Sequence, residues 1–191
     1  MTEIGSQSLA HYAWAAFGLV WLVSAFTNKR TARKQPIGTL IVHVCVLGLA
    51  FDLLFSSLFR RGFLRSPFLP DTAAVVWIGT VLTIAGIAFA IWARFHIGRN
   101  WSGFVTLKEG HSLVRTGPYA LVRHPIYTGL LLAVLGTAIV HREIGALIAF
   151  ALLVVEWKRK SLLEERFMID QFGAGYLEYR REVKGLIPFI W

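Results

Sequence analysis

The chain has 191 residues, of which 55% are hydrophobic and only 16% are charged. Soluble domains carry about 25% charged residues, so this composition indicates an integral membrane protein and argues against a soluble one. The net charge of +9 is best explained by anionic lipid headgroups and topology signals rather than by nucleic acid, because the cationic residues lie between apolar segments.

Five apolar segments follow one another along the chain and predict five transmembrane helices. A helix needs about 20 predominantly apolar residues to cross a bilayer. The segments cover residues 9–26, 38–58, 73–93, 126–140 and 144–157. Only three residues separate the last two, which predicts a tight helical hairpin. We therefore expect an all-α polytopic membrane protein in which residues 1–191 form a single domain.

The distribution of Lys and Arg predicts the orientation of these helices. Loop 27–37, segment 94–125 and the tail from residue 158 together hold 16 of these residues, whereas the remaining loops hold four. Cytoplasmic loops are enriched in Lys and Arg. The N-terminus should therefore lie outside, with segment 94–125 and the tail in the cytosol.

Ionisable residues inside the second apolar segment are functional candidates by default. They are His43 and Asp52, which lie about two and a half helical turns apart and so are not direct neighbours. We expect each to make a structural hydrogen bond. Small residues in the third and fourth segments predict close helix packing; they are Gly79, Gly86, Gly129 and Gly136.

Almost all residues capable of chemistry lie in two polar segments, 94–129 and 158–188, which flank the predicted hairpin. Residues 105–114, "VTLKEGHSLV", predict a short hairpin-like pair of extended stretches. No His spacing suits a metal, and the single Cys45 excludes a cysteine-based metal site. No metal is predicted.

The sequence "VRHPIYTG" enters the fourth helix, with Pro125 suited to the first helical turn. A helix start is a ready site for a carboxylate or phosphate, and Arg123 and His124 stand beside it. Two interpretations remain open from these residues alone. They line a pocket for a small anion, or Arg123 extends to headgroups while His124 caps the helix.

The second polar segment contains Glu164 and Glu165 at the start of an amphipathic stretch. Its aromatic residues, Phe167, Phe172, Tyr176 and Tyr179, share a side at helical spacing. A membrane-surface helix with solvated acids is one explanation. An inward-facing carboxylate that binds amines or hydroxyls is the other.

Together these blocks resemble the isoprenylcysteine carboxyl methyltransferase family of membrane-embedded methyltransferases, in its short prokaryotic form. The resemblance rests on "GRNWS" (98–102), "GHSLVRTGPYALVRHPIYTG" (110–129) and "EERFMIDQFGAGYLEYRREVKGLIP" (164–188). It covers about the last half of the chain, and the first two apolar segments contribute little to it.

The resemblance implies methyl transfer from S-adenosylmethionine, in a pocket open to the cytosol, to a lipid or lipidated substrate that enters from the bilayer. The catalytic candidates are Arg123, Arg181 (or its neighbour Arg180) and Glu165. The implied cofactor-binding residues are His111, Leu113, Val114, Tyr119, His124, Pro125, Tyr127, Glu164 and Glu165.

The most favoured reaction is O-methylation of a prenylcysteine-like carboxylate. N-methylation of an amine headgroup is an alternative, and so is a nicotinamide-dependent reductase of the sterol type, whose C-terminal architecture is similar. A non-catalytic membrane scaffold would leave the polar blocks on one membrane face without a purpose.

Overall fold

The computed structural model of the chain describes residues 3–25, 31–34, 37–56, 58–98, 106–108 and 113–187. Helices make up most of this part of the chain. They are α1 (Glu3–Ala25), α2 (Ile37–Phe55), α3 (Ala73–Ile97), α4 (Pro125–His141), α5 (Ile144–Phe172) and α6 (Ala174–Glu182). Short 3-10 helices cover Gly62–Arg65 and Gly117–Ala120.

A small antiparallel β-pair is an addition to the predicted all-α fold. Strand β1 (Thr31–Lys34) pairs with strand β2 (Thr106–Lys108). The sequence predicted extended structure at 106–108 but placed its partner immediately downstream, within the same local hairpin. Residues 109–112, the predicted turn, lie outside the described residues, and the observed partner comes from the loop between α1 and α2.

Two helices, α2 and α3, are long and apolar enough by length and composition to cross a membrane. Leu9–Ser24 of α1 and all of α4 are apolar but shorter. The surface of α2 is rich in exposed apolar side chains, among them Ile41, Val44 and Phe51. Soluble monomers rarely expose contiguous apolar surfaces of this kind, so the exposed face of α2 is suited to lipid contact.

Helices α3 and α4 pack closely because glycines face each other across their interface. A Cβ on Gly86 would lie 2.5 Å from the carbonyl oxygen of Gly129, and one on Gly79 would lie 2.6 Å from that of Gly136. The predicted packing role of these four glycines is therefore confirmed. Small residues allow two helix backbones to approach where larger ones would hold them apart.

Helix α5 continues well beyond the predicted apolar segment, which ends at residue 157. Residues 158–172 are mostly good helix formers and contain no Gly or Pro, and the helix ends only at Gly173, whose φ of +51° suits glycine. The amphipathic stretch predicted from Glu164 onward is therefore divided between two helices. Glu164 and Glu165 lie inside α5, and Tyr176 and Tyr179 lie on the next helix, α6.

Candidate active site

The start of α4 is held by the C-terminal segment of the chain. Helix α4 begins at Pro125, in the first helical turn as predicted. The two preceding backbone N–H groups donate to the C-terminal segment: Arg123 to the carbonyl oxygen of Lys184 at 2.8 Å, and His124 to that of Gly185 at 3.0 Å. These bonds fix the backbone that carries the Arg-His pair.

Helices α4 and α5 lie side by side so that the start of α4 meets the polar half of α5. The guanidinium of Arg123 donates to Glu165 Oε1 from Nη2 at 2.6 Å and from Nε at 3.0 Å. The Nη1 group of Arg123 donates to the carbonyl oxygens of Val183 and Arg180. Since every nitrogen of this guanidinium has a protein acceptor, Arg123 acts here to orient Glu165 and the C-terminal segment.

His124 lies between the two acids. Its Nε2 is 3.3 Å from Glu165 Oε1, and its Nδ1 is 3.4 Å from Glu164 Oε2. Tyr127 donates to the other Glu164 oxygen at 2.5 Å, and its ring stacks on His124 at a centroid distance of 5.8 Å. A carboxylate accepts hydrogen bonds only, so two flanking carboxylates favour the imidazolium form, which has two N–H donors.

Burial, hydrogen bonds and neighbouring charges shift the pKa values of His124, Glu164 and Glu165. Burial alone would raise the pKa of Glu165, but hydrogen bonds from His124 and Arg123 outweigh it and lower that pKa to about 2. Burial alone would lower the pKa of His124, yet its hydrogen bonds to Glu164 and Glu165 raise it. Burial alone would raise the pKa of Glu164, but the interactions with His124, Lys160 and Tyr127 together lower it. These shifts favour two carboxylates and one imidazolium in the site.

The structure distinguishes the two candidate arginines of α6. Arg180 Nε lies 3.3 Å from Glu165 Oε2, whereas Arg181 is exposed. Consecutive residues on a helix point about 100° apart, so one of the pair can reach Glu165 while the other turns to solvent. Both arginines are exposed, and Arg180 is the one that contacts the paired acids. The catalytic role of Arg181 stays a prediction.

The other predicted cofactor residues are less closely connected to the paired acids. Tyr119 is buried, and its carbonyl oxygen accepts a hydrogen bond from Tyr179 Oη at 2.5 Å. Leu113 and Val114 are half-buried, and Val114 packs against the hydrophobic core. The prediction for His111 lies outside the described residues.

An apolar cavity of about 280 Å³ lies between α1, α2, α4 and α5. Its walls consist mainly of aromatic and aliphatic side chains. Three polar residues also line it: Tyr127, His43 and Lys160. Tyr127 is part of both features, because its hydroxyl contacts Glu164 while its side chain lines the cavity. The paired acids and the cavity are therefore adjacent.

Sequence reasoning missed a second polar group, next to this cavity. It comprises Glu156, Arg159 and Lys160 of α5 with His43 of α2. The signal available in the sequence was Glu156 at the end of an apolar segment, four residues before Lys160 and so on the same helix face. Among the residues that the structure describes, no group of three or more His, Cys, Asp or Glu side chains is arranged to hold a metal.

The fold is similar to the solved structure of the eukaryotic intramembrane Ras methyltransferase, an isoprenylcysteine carboxyl methyltransferase. The TM-score is 0.51 at 26% sequence identity, and the match covers 83% of this chain and 55% of the other. The chain thus spans little more than half the length of that structure. This similarity places the chain in the class of membrane methyltransferases.

Proteins with similar sequences are methyltransferases of the same class. The probable protein-S-isoprenylcysteine O-methyltransferase of Oryza sativa subsp. japonica is 29% identical over 88% of this chain and 87% of its own. The protein-S-isoprenylcysteine O-methyltransferase of Homo sapiens is 26% identical over 100% of this chain and 69% of its own. The family model for phospholipid methyltransferases matches residues 74–175, more than half of the chain. The chain belongs to this family of phospholipid methyltransferases, and the predicted resemblance and methyltransferase activity are confirmed.

Proposed function

We propose that this protein transfers a methyl group from S-adenosylmethionine to the carboxylate of a prenylcysteine-like lipid substrate. The observation that carries the proposal is the position of Tyr127, which contacts Glu164 and also lines the apolar cavity. One residue thus joins a polar cluster suited to a water-soluble cofactor to a cavity suited to an apolar chain. Methyl transfer between a polar donor and a lipid acceptor needs this adjacency.

The residues of the polar cluster fit the proposed cofactor. Its ribose hydroxyls and its ammonium group need acceptors, and Glu164 supplies a carboxylate whose side chain is 24% exposed. Glu165, held by Arg123 and His124, sets the position of this part of α5, and Tyr127 and His124 offer a stacked pair of rings. When bound, S-adenosylmethionine supplies an activated methyl group with its own leaving group. The protein binds, orients and excludes water.

The cavity fits an apolar substrate chain. Its volume is close to the lower end of the about 300–1,000 Å³ that ligand sites commonly have. Five aromatic side chains from two helices line it: Trp14, Phe17 and Trp21 of α1, and Phe51 and Phe55 of α2. This aromatic wall is suited to an unsaturated hydrocarbon. A carboxylate acceptor is ionised near pH 7, so the proposed reaction requires no group in this site to remove a proton.

We further propose five membrane-crossing helices in one domain of residues 1–191, with α4 and α5 as a membrane hairpin. Pairing of β1 with β2 brings together loop 27–37 and segment 94–125. A bridge between Pro67 and Glu143 brings together loop 59–72 and the turn between α4 and α5. Both contacts support the division of the loops between two membrane faces. The proposed orientation has the N-terminus outside and the site in the cytosol.

Calorimetric titration of the purified protein with S-adenosylhomocysteine and with NADPH tests the cofactor. We expect binding of the first only, because the cluster offers acceptors for an ammonium and for ribose hydroxyls. Replacing His124 or Glu165 with Ala should abolish this binding while the protein remains folded. The control is Arg166→Ala, which removes an exposed cation from α5. Tight binding of NADPH without S-adenosylhomocysteine would instead identify a reductase.

A labelled-methyl assay tests the acceptor. With a prenylcysteine substrate we expect a product whose label is released by base, as a carboxyl methyl ester requires. Label that resists base would indicate an amine acceptor. The description of the matching family as phospholipid methyltransferases favours that second candidate, so amine headgroups belong in the same assay.

A further inference from the structure

The apolar cavity has a polar end and an aromatic end. Tyr127, His43 and Lys160 line the polar end, where the Tyr127 hydroxyl contacts Glu164. The opposite end lies further along α4. Among the described residues of that helix, the last one to line the cavity is Val134, about 10 Å from Tyr127 along the helix axis.

Trp14 of α1 lies at the aromatic end. Its indole Nε1 donates a hydrogen bond to Thr137 Oγ1 at 2.9 Å. Thr137 follows Tyr127 on α4, so this hydrogen bond lies about 15 Å from Tyr127 along the helix axis. Because Trp14 also lines the cavity, its ring reaches from α1 to α4 just beyond Val134.

Aromatic contacts surround the Trp14 ring on its other sides. Three rings meet it edge-on, with centroid distances of 5.7, 6.4 and 5.8 Å: Phe17, Phe51 and Phe55. These distances and the edge-to-face geometry are those that aromatic pairs prefer. Behind this group, the Phe55 ring lies 6.4 Å from the ring of His141, the last residue of α4. The Trp14 ring is therefore packed in place.

The hydroxyl that accepts from Trp14 is itself fixed. Thr137 is only 2% exposed and donates to the carbonyl oxygen of Ala133 at 2.8 Å, which leaves its lone pairs to accept the indole N–H. Thr83 Oγ1 of α3 lies 3.3 Å from the same hydroxyl. A Cβ on Gly136 would lie 2.5 Å from the backbone nitrogen of Thr83, so glycine permits this approach. An indole N–H without a partner in apolar surroundings is costly, and the bond therefore opposes rotation of the ring.

We propose that Trp14, with Thr137 as its positioning residue, limits the apolar chain that the cavity accepts to about three isoprene units. This inference rests on the proposed function, which places a prenyl chain in the cavity with its carboxylate end near Tyr127. An extended chain advances about 1.2 Å per main-chain bond, as an extended polypeptide does, so the four such bonds of one isoprene unit cover about 5 Å. Three units match the distance of about 15 Å between Tyr127 and the Trp14 hydrogen bond, and a fourth unit meets the Trp14 ring.

Binding of ligands that differ only in chain length tests the limit. The ligands are N-acetylated S-prenylcysteines with two, three and four isoprene units, and their dissociation constants are measured on the full chain in detergent. We expect the wild type to bind the three-unit ligand at least about tenfold more tightly than the four-unit ligand, because the longer chain must displace a packed ring. Trp14→Ala should reduce this ratio to about one or less, since the fourth unit can then occupy the space of the indole.

Variants of Thr137 separate positioning from a purely structural role, and they test the limit even if Trp14→Ala does not fold. Thr137→Ser keeps the hydroxyl and should retain the preference for three units. Thr137→Val keeps the shape without the acceptor and should give a ratio between those of the wild type and Trp14→Ala. Trp92→Ala is the control, because it removes a tryptophan that is 49% exposed on α3, and it should leave the ratio unchanged. The ligands partition into micelles equally for every variant, so differences between variants report on the cavity.

The inference and the proposed function fail in different ways. Methyl transfer to prenylcysteine carboxylates, together with the same ratio in the wild type and Trp14→Ala, would overturn the length limit alone. A wild type that binds the three-unit and four-unit ligands equally would also overturn it. A wild type that binds the series but methylates none of it would overturn the proposed function, and a ratio that falls in Trp14→Ala would still support the limit. Absence of binding by all three ligands would overturn both.

Discussion

His124 is the centre of the candidate site at the scale of single residues. One imidazolium serves two adjacent carboxylates, and each carboxylate has a further donor from another part of the chain: Arg123 for Glu165 and Tyr127 for Glu164. Buried ion pairs of this kind contribute little net stability compared with apolar packing, but removal of one partner leaves an uncompensated charge. The cluster therefore fixes geometry more than it adds stability.

The charge state of the cluster predicts how stability depends on pH. The raised pKa of His124 means that its contribution is complete below its ordinary value of 6.5 and is lost as the pH rises through the raised pKa. The lowered pKa of Glu165 means that its contribution is complete above its ordinary value of 4.5 and is lost as the pH falls towards about 2. Both contributions are complete between pH 4.5 and pH 6.5, so the contribution of the cluster to stability should be greatest there.

Thermal unfolding in detergent across this range measures the effect. We expect the midpoint of the wild type to fall as the pH is raised from 6.5 through the raised pKa of His124. His124→Gln should show a lower but flatter profile there, because it cannot carry the charge. An equal slope in both proteins would show that another group causes the loss.

At the scale of elements, the length of α5 determines where the site lies. A helix of 29 residues is about 44 Å long, which exceeds the about 30 Å hydrocarbon thickness of a bilayer. Glu164 and Glu165 lie about 30–32 Å from Ile144 along the axis, so they would reach the membrane boundary. Lys160, one turn earlier, remains on the membrane side of them. One continuous helix thus carries the proposed cofactor contacts at the membrane boundary and, one turn earlier, a residue that lines the apolar cavity.

The contact between α3 and α4 gives a prediction about packing. A Cβ at Gly86 would lie 2.4 Å from the backbone nitrogen of Ala133, so Gly86→Ala forces the two backbones apart. We expect it to reduce the free energy of unfolding by about 1–3 kcal/mol or more, measured by denaturation in detergent. Gly48→Ala on α2 is the matched control, because a Cβ there meets nothing within 4 Å. That change should be neutral or stabilise by up to about 1 kcal/mol, and an equal loss in both would contradict the packing explanation.

At the scale of the whole molecule, two contacts between loops indicate which loops lie on the same face of the protein. One is the β1–β2 pair, and the other is formed by loop 59–72 on the turn after α4, where Ile144 N donates to the carbonyl oxygen of Ser66 at 3.0 Å. These contacts constrain which loops share a side. The proposal for which side faces the cytosol rests on the Lys and Arg distribution alone.

Cysteine labelling in intact cells tests this orientation. After Cys45→Ala removes the single cysteine of the chain, one cysteine is introduced by Arg33→Cys or by Arg61→Cys. We expect a membrane-impermeant thiol reagent to label the second variant and not the first, since loop 27–37 should be cytosolic. Labelling after permeabilisation controls for access, and the reverse pattern in intact cells would overturn the orientation.

Features that depend on local pattern could be predicted from the residues alone. The lengths of the apolar segments predicted the helices, because a bilayer or an apolar core favours burial of each segment whatever its neighbours are. Pro125 predicted the start of α4. Four glycines predicted the close contact between α3 and α4: Gly79, Gly86, Gly129 and Gly136. The predicted hydrogen bond of Asp52 is confirmed as a cap on the backbone N–H of Phe59 at 3.1 Å, and that of His43 is confirmed with Glu156.

Contacts between distant side chains could not be predicted in this way, because they depend on how the helices pack. Arg180 rather than Arg181 reaches Glu165 because the break at Gly173 sets the rotation of α6, which no periodicity in the sequence specifies. The partner of β2 lies more than 70 residues away, in a loop with no extended pattern of its own. His43 meets Lys160 because α2 packs on α5, and a pair 117 residues apart leaves no local signal. Contacts between helices depend on how whole helix faces pack against one another. Local sequence pattern therefore predicts the individual helices but not the site that they assemble.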